Sequence, residues 1–208
     1  YDNTNGIYTG PAYPSQLIVQ PAVAGNDWVH FTDGNKLLAS VKPNGQQMGN
    51  TSVQAYVNED LVRHYNDQYY HDRNLVITPA QNQLTDSVLV RFYFTDSETE
   101  ALLAAADCST CPRVGSAYEL GVAKYSDAKN ATENGSLDDN TSTNWLFTNP
   151  ASVRKVPFDV GYYAEFKTKR FSEFWLSKGR LDNQPAPSAS LQSFDVVKSG
   201  VNDALLTW

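Results

Sequence analysis

Apolar residues alternate with polar ones in many short segments of this chain, and clusters of Gly, Pro, Asn and Asp separate those segments. Such alternation is typical of β-strands that bury one face. In the clearest case, residues 87–94, every second residue from Val88 to Phe94 is apolar. About ten such strands joined by short turns predict an all-β domain, an antiparallel β-sandwich or jelly-roll-like fold.

Two pairs of these segments are predicted to form hairpins. Residues 28–41 surround Asp33-Gly34-Asn35, a tight-turn sequence, so the flanking strands should pair with each other. Only a very short connection separates the alternating segments 161–168 and 170–176. We expect them to pair in the same way.

One helix is predicted among the strands. Thr95 and Glu98 have the spacing of a capping box, in which each side chain bonds the backbone of the other residue. The run 100–106 then consists mainly of strong helix formers. We therefore expect one short helix, which ends near Cys108.

Residues 126–144 are polar and rich in Asn, Asp, Ser and Thr, which predicts a long surface loop. Carboxylate and amide oxygens are ligands that Ca²⁺ prefers, although the spaced pattern of a regular calcium loop is missing. A structural calcium ion is therefore a hypothesis, and no other cofactor is expected. Its candidate ligands are Asn134, Asp138, Asp139 and Asn140.

Aromatic residues make up 12% of the chain, and several occupy positions that should face outward from a strand. Exposed rings with polar tips stack on sugars or dock partner surfaces. The alternative is that a two-layer sandwich covers these rings. The candidate ligand-binding rings are Tyr69, Tyr70, Tyr93, Tyr163 and Trp175.

The only two cysteines, Cys108 and Cys111, follow the predicted helix. A local disulfide in an oxidising compartment is one interpretation. Half of a metal site is another, although a second pair of cysteine ligands is missing. A thioredoxin-like redox motif is the third, but its cysteines would open a helix rather than follow one.

Charge and motif content exclude several functions. The net charge is −7 without a stripe of Lys and Arg, which argues against nucleic-acid binding. No apolar run approaches the roughly 18 residues that span a membrane. No Gly-x-Ser-x-Gly motif is present, and the acidic residues near Glu98 are explained by a helix N-terminus. His64 and His71 with a nearby Asp remain a weak alternative metal site. We expect no catalytic activity.

The chain divides into four parts. We expect residues 1–15 to form an N-terminal arm, either flexible or paired with a neighbour, and residues 16–182 to form the sandwich. Residues 183–190 are rich in Pro, Ser and Ala, which predicts a linker. The pattern in residues 191–208 predicts a hairpin. Because a lone hairpin is marginally stable, we expect it to begin a second domain or to pair with a partner. The candidate assembly residues are Leu191, Phe194, Val196, Leu205, Leu206 and Trp208.

Several segments, taken together, resemble a known family. They are residues 28–35, 53–58, 69–79, 90–96, 161–166 and 171–176. As a set they resemble the region just upstream of the C-terminal sorting domain in Bacteroidota surface proteins exported by type IX secretion.

This resemblance implies a secreted, cell-surface location and favours a disulfide between Cys108 and Cys111. It also implies that a fibronectin III-like domain begins at residues 191–208. Asp86-Ser87-Val88 resembles the short site that such bacteria O-glycosylate, which makes Ser87 a candidate glycosylation site.

The sequence thus predicts a non-catalytic extracellular bacterial surface module with a structural or adhesive role. It would be a subunit of an extracellular fibre assembled by strand pairing, with other copies or neighbouring domains as partners. The alternative is a carbohydrate-binding module of a secreted multidomain protein, with glycans as partners.

Overall fold

A computed structural model describes residues 5–10, 14–58, 62–105, 108–129, 131–141 and 143–179, and the backbone of 195–198 and 204–207. Within these residues one α-helix, α1 (Asp96–Ala104), and two short 3-10 helices (Ala117–Glu119 and Pro150–Ser152) accompany the strands. The strands are β1 (Gly6–Ile7), β2 (Ile18–Val23), β3 (Val29–Asp33), β4 (Lys36–Lys42), β5 (Gly49–Val57), β6 (Arg63–Tyr65), β7 (Gln68–Pro79), β8 (Val88–Thr95), β9 (Gly121–Tyr125), β10 (Trp145–Thr148), β11 (Arg154–Phe158), β12 (Gly161–Thr168), β13 (Glu173–Ser177), β14 (Asp195–Lys198) and β15 (Ala204–Thr207).

Two sheets pack face to face. The first sheet has the strand order β1-β4-β8-β12-β11, with β3 also paired to β4. The second has the order β10-β9-β13-β7-β5-β2, with β6 also paired to β7. All of these pairings are antiparallel except the one between β1 and β4. The predicted all-β sandwich with one short helix is confirmed.

The core lies between the two sheets. Phe92 and Phe166 from the first sheet and Leu75 and Phe174 from the second are buried in one cluster. The rings of Phe166 and Phe174 meet across the layers, with centroids 5.3 Å apart. Burial of each such side chain contributes roughly 1.5–3 kcal/mol to the free energy of folding. Strands with one apolar face are therefore most stable when two sheets pack with those faces together.

One predicted hairpin is confirmed and the other is wrong. β3 and β4 pair across the Asp33–Lys36 turn. β12 instead pairs with β8 and β11, whereas β13 pairs with β7 and β9 in the other sheet. Residues 169–172 therefore carry the chain from one layer to the next. The apolar faces of β12 and β13 pack against each other across the core instead of sharing backbone hydrogen bonds.

The described part of the predicted N-terminal arm belongs to the sandwich. β1 pairs with β4 of the same chain, and Ile7 and Tyr8 are buried. Ser15 is also buried, and its backbone N–H donates to the Ala55 carbonyl at 2.8 Å. These residues therefore do not extend away as an arm.

The predicted C-terminal hairpin forms. β14 and β15 pair antiparallel, with Val196 opposite Leu206 and Val197 opposite Leu205. In the described backbone they make a two-stranded sheet hydrogen-bonded to neither larger sheet. The linker 183–190 and Leu191, Phe194 and Trp208 lie outside the described residues.

Candidate functional site

The five candidate ligand-binding rings are not exposed. Tyr69, Tyr70, Tyr93, Tyr163 and Trp175 are each at most 4% accessible to solvent. The prediction that they form a sugar-binding platform on outward strand faces is therefore wrong.

Other parts of the chain cover these rings. Tyr93 and Tyr163 lie opposite each other on the outer face of the first sheet, where Ile7 and Phe158 pack against them. Tyr70 and Trp175 lie on the outer face of the second sheet, in a cluster with Leu137 from the polar loop. Tyr69 faces the core, and its hydroxyl accepts a hydrogen bond from the Cys108 N–H. Both faces of the sheets are thus partly covered.

The described part of the polar segment 126–144 packs on the outer face of the second sheet, and a buried carboxylate on β13 anchors it. Glu173 is fully buried. Its Oε1 accepts from Asn74 Nδ2 at 2.9 Å and from the Gly135 N–H at 2.7 Å, and its Oε2 accepts from Asn140 Nδ2 at 3.0 Å. One carboxylate therefore links β7, β13 and two points of the loop.

Burial is the main influence on the Glu173 carboxyl, because a charged group is poorly solvated there. It raises the pKa of Glu173 to about 7, although the hydrogen bonds from Asn140 and Gly135 oppose that rise. A sequence signal for this role was weak: Glu173 alternates normally along its strand, and its partners lie far away in the chain.

Gly135 fits the loop closely to the sheet. Its φ is +85°, a left-handed conformation that glycine adopts without strain, and a Cβ there would overlap the Tyr56 ring. Its carbonyl accepts a hydrogen bond from Arg63, whose guanidinium lies 4.6 Å from the Trp175 ring centroid. The loop is therefore part of the folded structure.

The four candidate calcium ligands serve different contacts. Asn140 is buried, and its amide donates to Glu173, whereas Asn134 Nδ2 donates to Asp139 Oδ2 at 2.8 Å. Among the described residues, the clusters of three or more His, Cys, Asp or Glu ligand atoms within 4.8 Å include neither Asp138 nor Asp139. The geometry therefore assigns this segment to loop anchoring, and calcium binding stays a prediction.

A second buried polar cluster lies between the sheets. Arg73 of β7 donates from Nε at 2.9 Å and from Nη2 at 2.6 Å to Glu98 Oε1. Glu98 Oε2 accepts from the Thr95 N–H at 2.7 Å, which completes the predicted capping box of α1. The pair thus ties the helix to the second sheet.

The ring of His71 lies beside this pair. His71, Asp72 and Glu98 place ligand atoms within 4.8 Å of one another, a spacing that a metal ion could use. Glu98, however, already binds the Arg73 guanidinium and caps the helix. A cation would have to displace Arg73 against charge repulsion, so the cluster is better explained as a structural ion pair. His64 is exposed and does not join His71 in this group.

Cys108 and Cys111 form a disulfide, with Cα atoms 5.5 Å apart. Both residues are buried in the core cluster near the end of α1. The disulfide interpretation is therefore confirmed, and the metal and redox alternatives are not supported by this geometry. Bonded sulfurs also exclude a thiolate metal site with His64, which lies nearby.

Ser87 lies directly before β8 and is half-buried. It lines a cleft at the end of the sandwich, so its side chain is not fully displayed to solvent. Its glycosylation stays a prediction.

That cleft, which we call the β12-end cleft, has a volume of about 320 Å³. Val122, Phe166 and Phe174 line its apolar side, and cationic residues surround its mouth. The cationic residues are Lys124, Lys167, Lys169 and Arg170. A neighbouring, more polar cleft of about 510 Å³ shares Lys124, Leu146 and Arg170 but is also lined by Asp127 and Glu133.

The second sheet ends in an apolar edge strand. β2 pairs with β5 on one side and is the terminal strand of the sheet order. Leu17, next to β2, is 58% exposed, and Val19 within it is 54% exposed. Unpaired strand edges with exposed apolar side chains favour association with another chain.

Comparison of the chain with protein-family models, with curated proteins and with solved structures gives no match. Among the described residues, no helix has the length and apolar character needed to cross a membrane.

Proposed function

We propose that this chain is a non-catalytic structural module of a secreted bacterial surface protein, and that strand pairing joins it to other copies in an extracellular assembly. The observation that carries the proposal is the C-terminal hairpin. β14 and β15 pair with each other and, in the described backbone, with neither larger sheet. Isolated two-stranded units are marginally stable in water, so a partner strand would stabilise this one.

An acceptor for such a strand lies on the same molecule. β2 ends the second sheet, and Leu17 and Val19 are exposed beside it. Strand addition satisfies main-chain donors and acceptors and requires little side-chain specificity. The hairpin of one copy would thus extend the second sheet of the next.

The buried ionisable groups support a structural role. Arg73 and Glu98 bind each other, and Glu173 holds the loop. The Arg73–Glu98 pair links α1 to the second sheet and Glu173 links the loop to that sheet; in the described part of the chain these groups do not converge on an open cleft. The sugar-binding alternative depended on five rings that are buried, so it is not part of the proposal.

A secreted location is supported by the disulfide between Cys108 and Cys111, because such bonds persist in oxidising compartments. The resemblance to surface proteins exported by type IX secretion points the same way.

The test is the mass of the full chain as a function of concentration, measured by sedimentation velocity for the native protein and two variants. Val19→Lys places a charge on the β2 edge. Val160→Lys is the matched control, because Val160 is also a valine and is 55% exposed, but lies in the turn between β11 and β12.

We expect the native chain and the Val160→Lys variant to associate as concentration rises, and the Val19→Lys variant to stay smaller. A native chain that remains monomeric throughout would contradict the proposal. Equal association of all three proteins would show that β2 is not the acceptor and would remove the proposed mode of assembly.

A further inference from the structure

The β12-end cleft exists because two neighbouring strands differ in length. β11 pairs with β12 only as far as Arg154 opposite Glu165, so Phe166 to Thr168 have no strand partner on that side among the described residues. On the second sheet, Lys124 lies between Phe174 on β13 and Leu146 on β10 in the same cross-strand row. The cleft therefore lies between the end of β12 and Lys124, above Phe166 and Phe174, which stay at most 2% exposed.

Cations are concentrated at this opening. Lys124, Lys167, Lys169 and Arg170 line one cleft of a chain whose net charge is −7. Lys169 lies 4.0 Å from Asp86, a solvent-exposed contact that contributes little. Among the described residues, Lys124, Lys167 and Arg170 make no ion pair with a carboxylate.

Lys124 differs from the other three cations, which are exposed. It is half-buried beside Phe174, and burial lowers its pKa, with a further contribution from the positive charge of Arg170. Glu133 opposes this effect, but its Oε1 already accepts from Ser172 Oγ at 2.6 Å and from the Asp127 N–H at 2.9 Å. The Lys124 amine thus lies close to a second cation, Arg170, and beside the buried ring of Phe174.

We propose that the β12-end cleft binds a carboxylate carried on an apolar body. The carboxylate would lie between Lys124 and Arg170, and the apolar body would lie mainly against Leu146, the lining side chain that is 60% exposed. Charge-assisted hydrogen bonds from both cations would replace the missing counter-ion, and the ligand would cover the exposed side chain of Leu146. A cavity of about 320 Å³ accommodates an aryl or short alkyl group.

The test uses 4-phenylbutyrate as the probe and 4-phenylbutanol as its neutral counterpart, with binding to the full chain followed by calorimetry and by NMR shifts of the Lys124 side chain. We expect the acid to bind at least tenfold more tightly than the alcohol, because only the acid makes charge-assisted hydrogen bonds. Binding should also raise the pKa of Lys124.

The variant Lys124→Met keeps the length of the side chain and removes its charge, and we expect it to weaken binding of the acid roughly tenfold. Lys42→Met is the matched control. Lys42 is also a partly exposed strand lysine opposite a leucine, Leu89, but it lies outside the cleft. This control should bind like the native chain.

The carboxylate could belong to a free small acid or to a peptide C-terminus. A pentapeptide that ends in phenylalanine, with a free and with an amidated C-terminus, distinguishes these sources. Tighter binding of the free-acid peptide than of 4-phenylbutyrate would support a chain terminus, and binding of phenylbutyrate alone would support a small molecule. Three results would overturn the proposal. They are equal affinity for the acid and the alcohol, no binding of any probe at concentrations on the order of 10 mM, and an equal loss of affinity in the Lys124→Met and Lys42→Met variants.

Discussion

Protonation of Glu173 should make the stability of this protein strongly dependent on pH. The carboxylate is fully buried and accepts hydrogen bonds from Asn74, Gly135 and Asn140. The perturbation is Glu173→Gln, which removes the titration and keeps the side-chain shape. Asn140 Oδ1 has no partner, so a turned Asn140 amide could accept from the new side chain.

Burial raises the pKa of Glu173 from 4.5 to about 7. The folded state therefore holds a proton between these values while the unfolded state has lost it, so stability contributed by this group falls as pH rises through that window. At about 1.4 kcal/mol per pKa unit, the full change is about 3 kcal/mol. Above pH 7, ionised Glu173 disfavours the folded state by that amount relative to a group with an ordinary pKa.

The assay is urea unfolding of the native chain and the Glu173→Gln variant, followed by tryptophan fluorescence in steps from about pH 4.5 to pH 8. The stability of the native chain minus that of the variant should decrease by about 3 kcal/mol across this range. Any constant cost of the amide changes the offset and not the slope, and the other carboxyl groups cancel.

Glu119→Gln is the control for the direction of the effect. A hydrogen bond from Lys178 lowers the pKa of the half-buried Glu119, so its small contribution is lost as pH falls. The difference between native chain and this control should not decrease with rising pH. A Glu173→Gln difference that is independent of pH, or that grows with pH, would refute the reasoning.

Three further predictions concern stability. Arg73→Met should lower the free energy of unfolding in urea by roughly 3–5 kcal/mol, because it leaves buried Glu98 without its partner. The double variant Arg73→Met with Glu98→Gln should recover most of that loss. A loss below about 1 kcal/mol in Arg73→Met alone would contradict the argument. Replacing Cys108 and Cys111 by serine should lower the free energy of unfolding by about 2 kcal/mol, because the disulfide closes a short loop. A much larger loss of unfolding free energy would show that the sulfurs do more than close that loop. Burial lowers the pKa of Lys155 to about 8, so stability should rise with pH from about 8 to its unfolded value of 10.5, and Lys155→Met should abolish that rise; an unchanged rise in the variant would assign it to another group.

Local patterns predicted the elements of this fold well. The turn Asp33-Gly34-Asn35 predicted the pairing of β3 with β4, and Thr95 with Glu98 predicted the start of α1. These features depend on residues within a few positions of one another, where turn and capping geometry act directly. The proximity of Cys108 and Cys111 is local in the same sense.

The candidate site was harder to predict. Tyr163 and Trp175 alternate along their strands as exposed rings would, and alternation does not say whether a second layer covers a face. β1, β11 and the loop supply that layer here. Glu173 likewise meets Asn74 and Gly135 only after folding, so its neighbours in the chain gave no sign of its role.

The sequence by itself determined where most strands and the helix form, because the two-residue side-chain period and the capping spacing act within single segments. It did not predict the strands β1, β6 and β11. Tertiary structure alone decided which sheet each strand joins. β12 and β13 follow each other closely, yet they lie in opposite layers because their apolar faces, including Phe166 and Phe174, pack across the core. An alternating pattern marks a face to be buried but does not specify the surface that buries it. For the same reason the sequence did not predict the β12-end cleft or the contacts of Glu173 with the loop, which form between residues far apart in the chain.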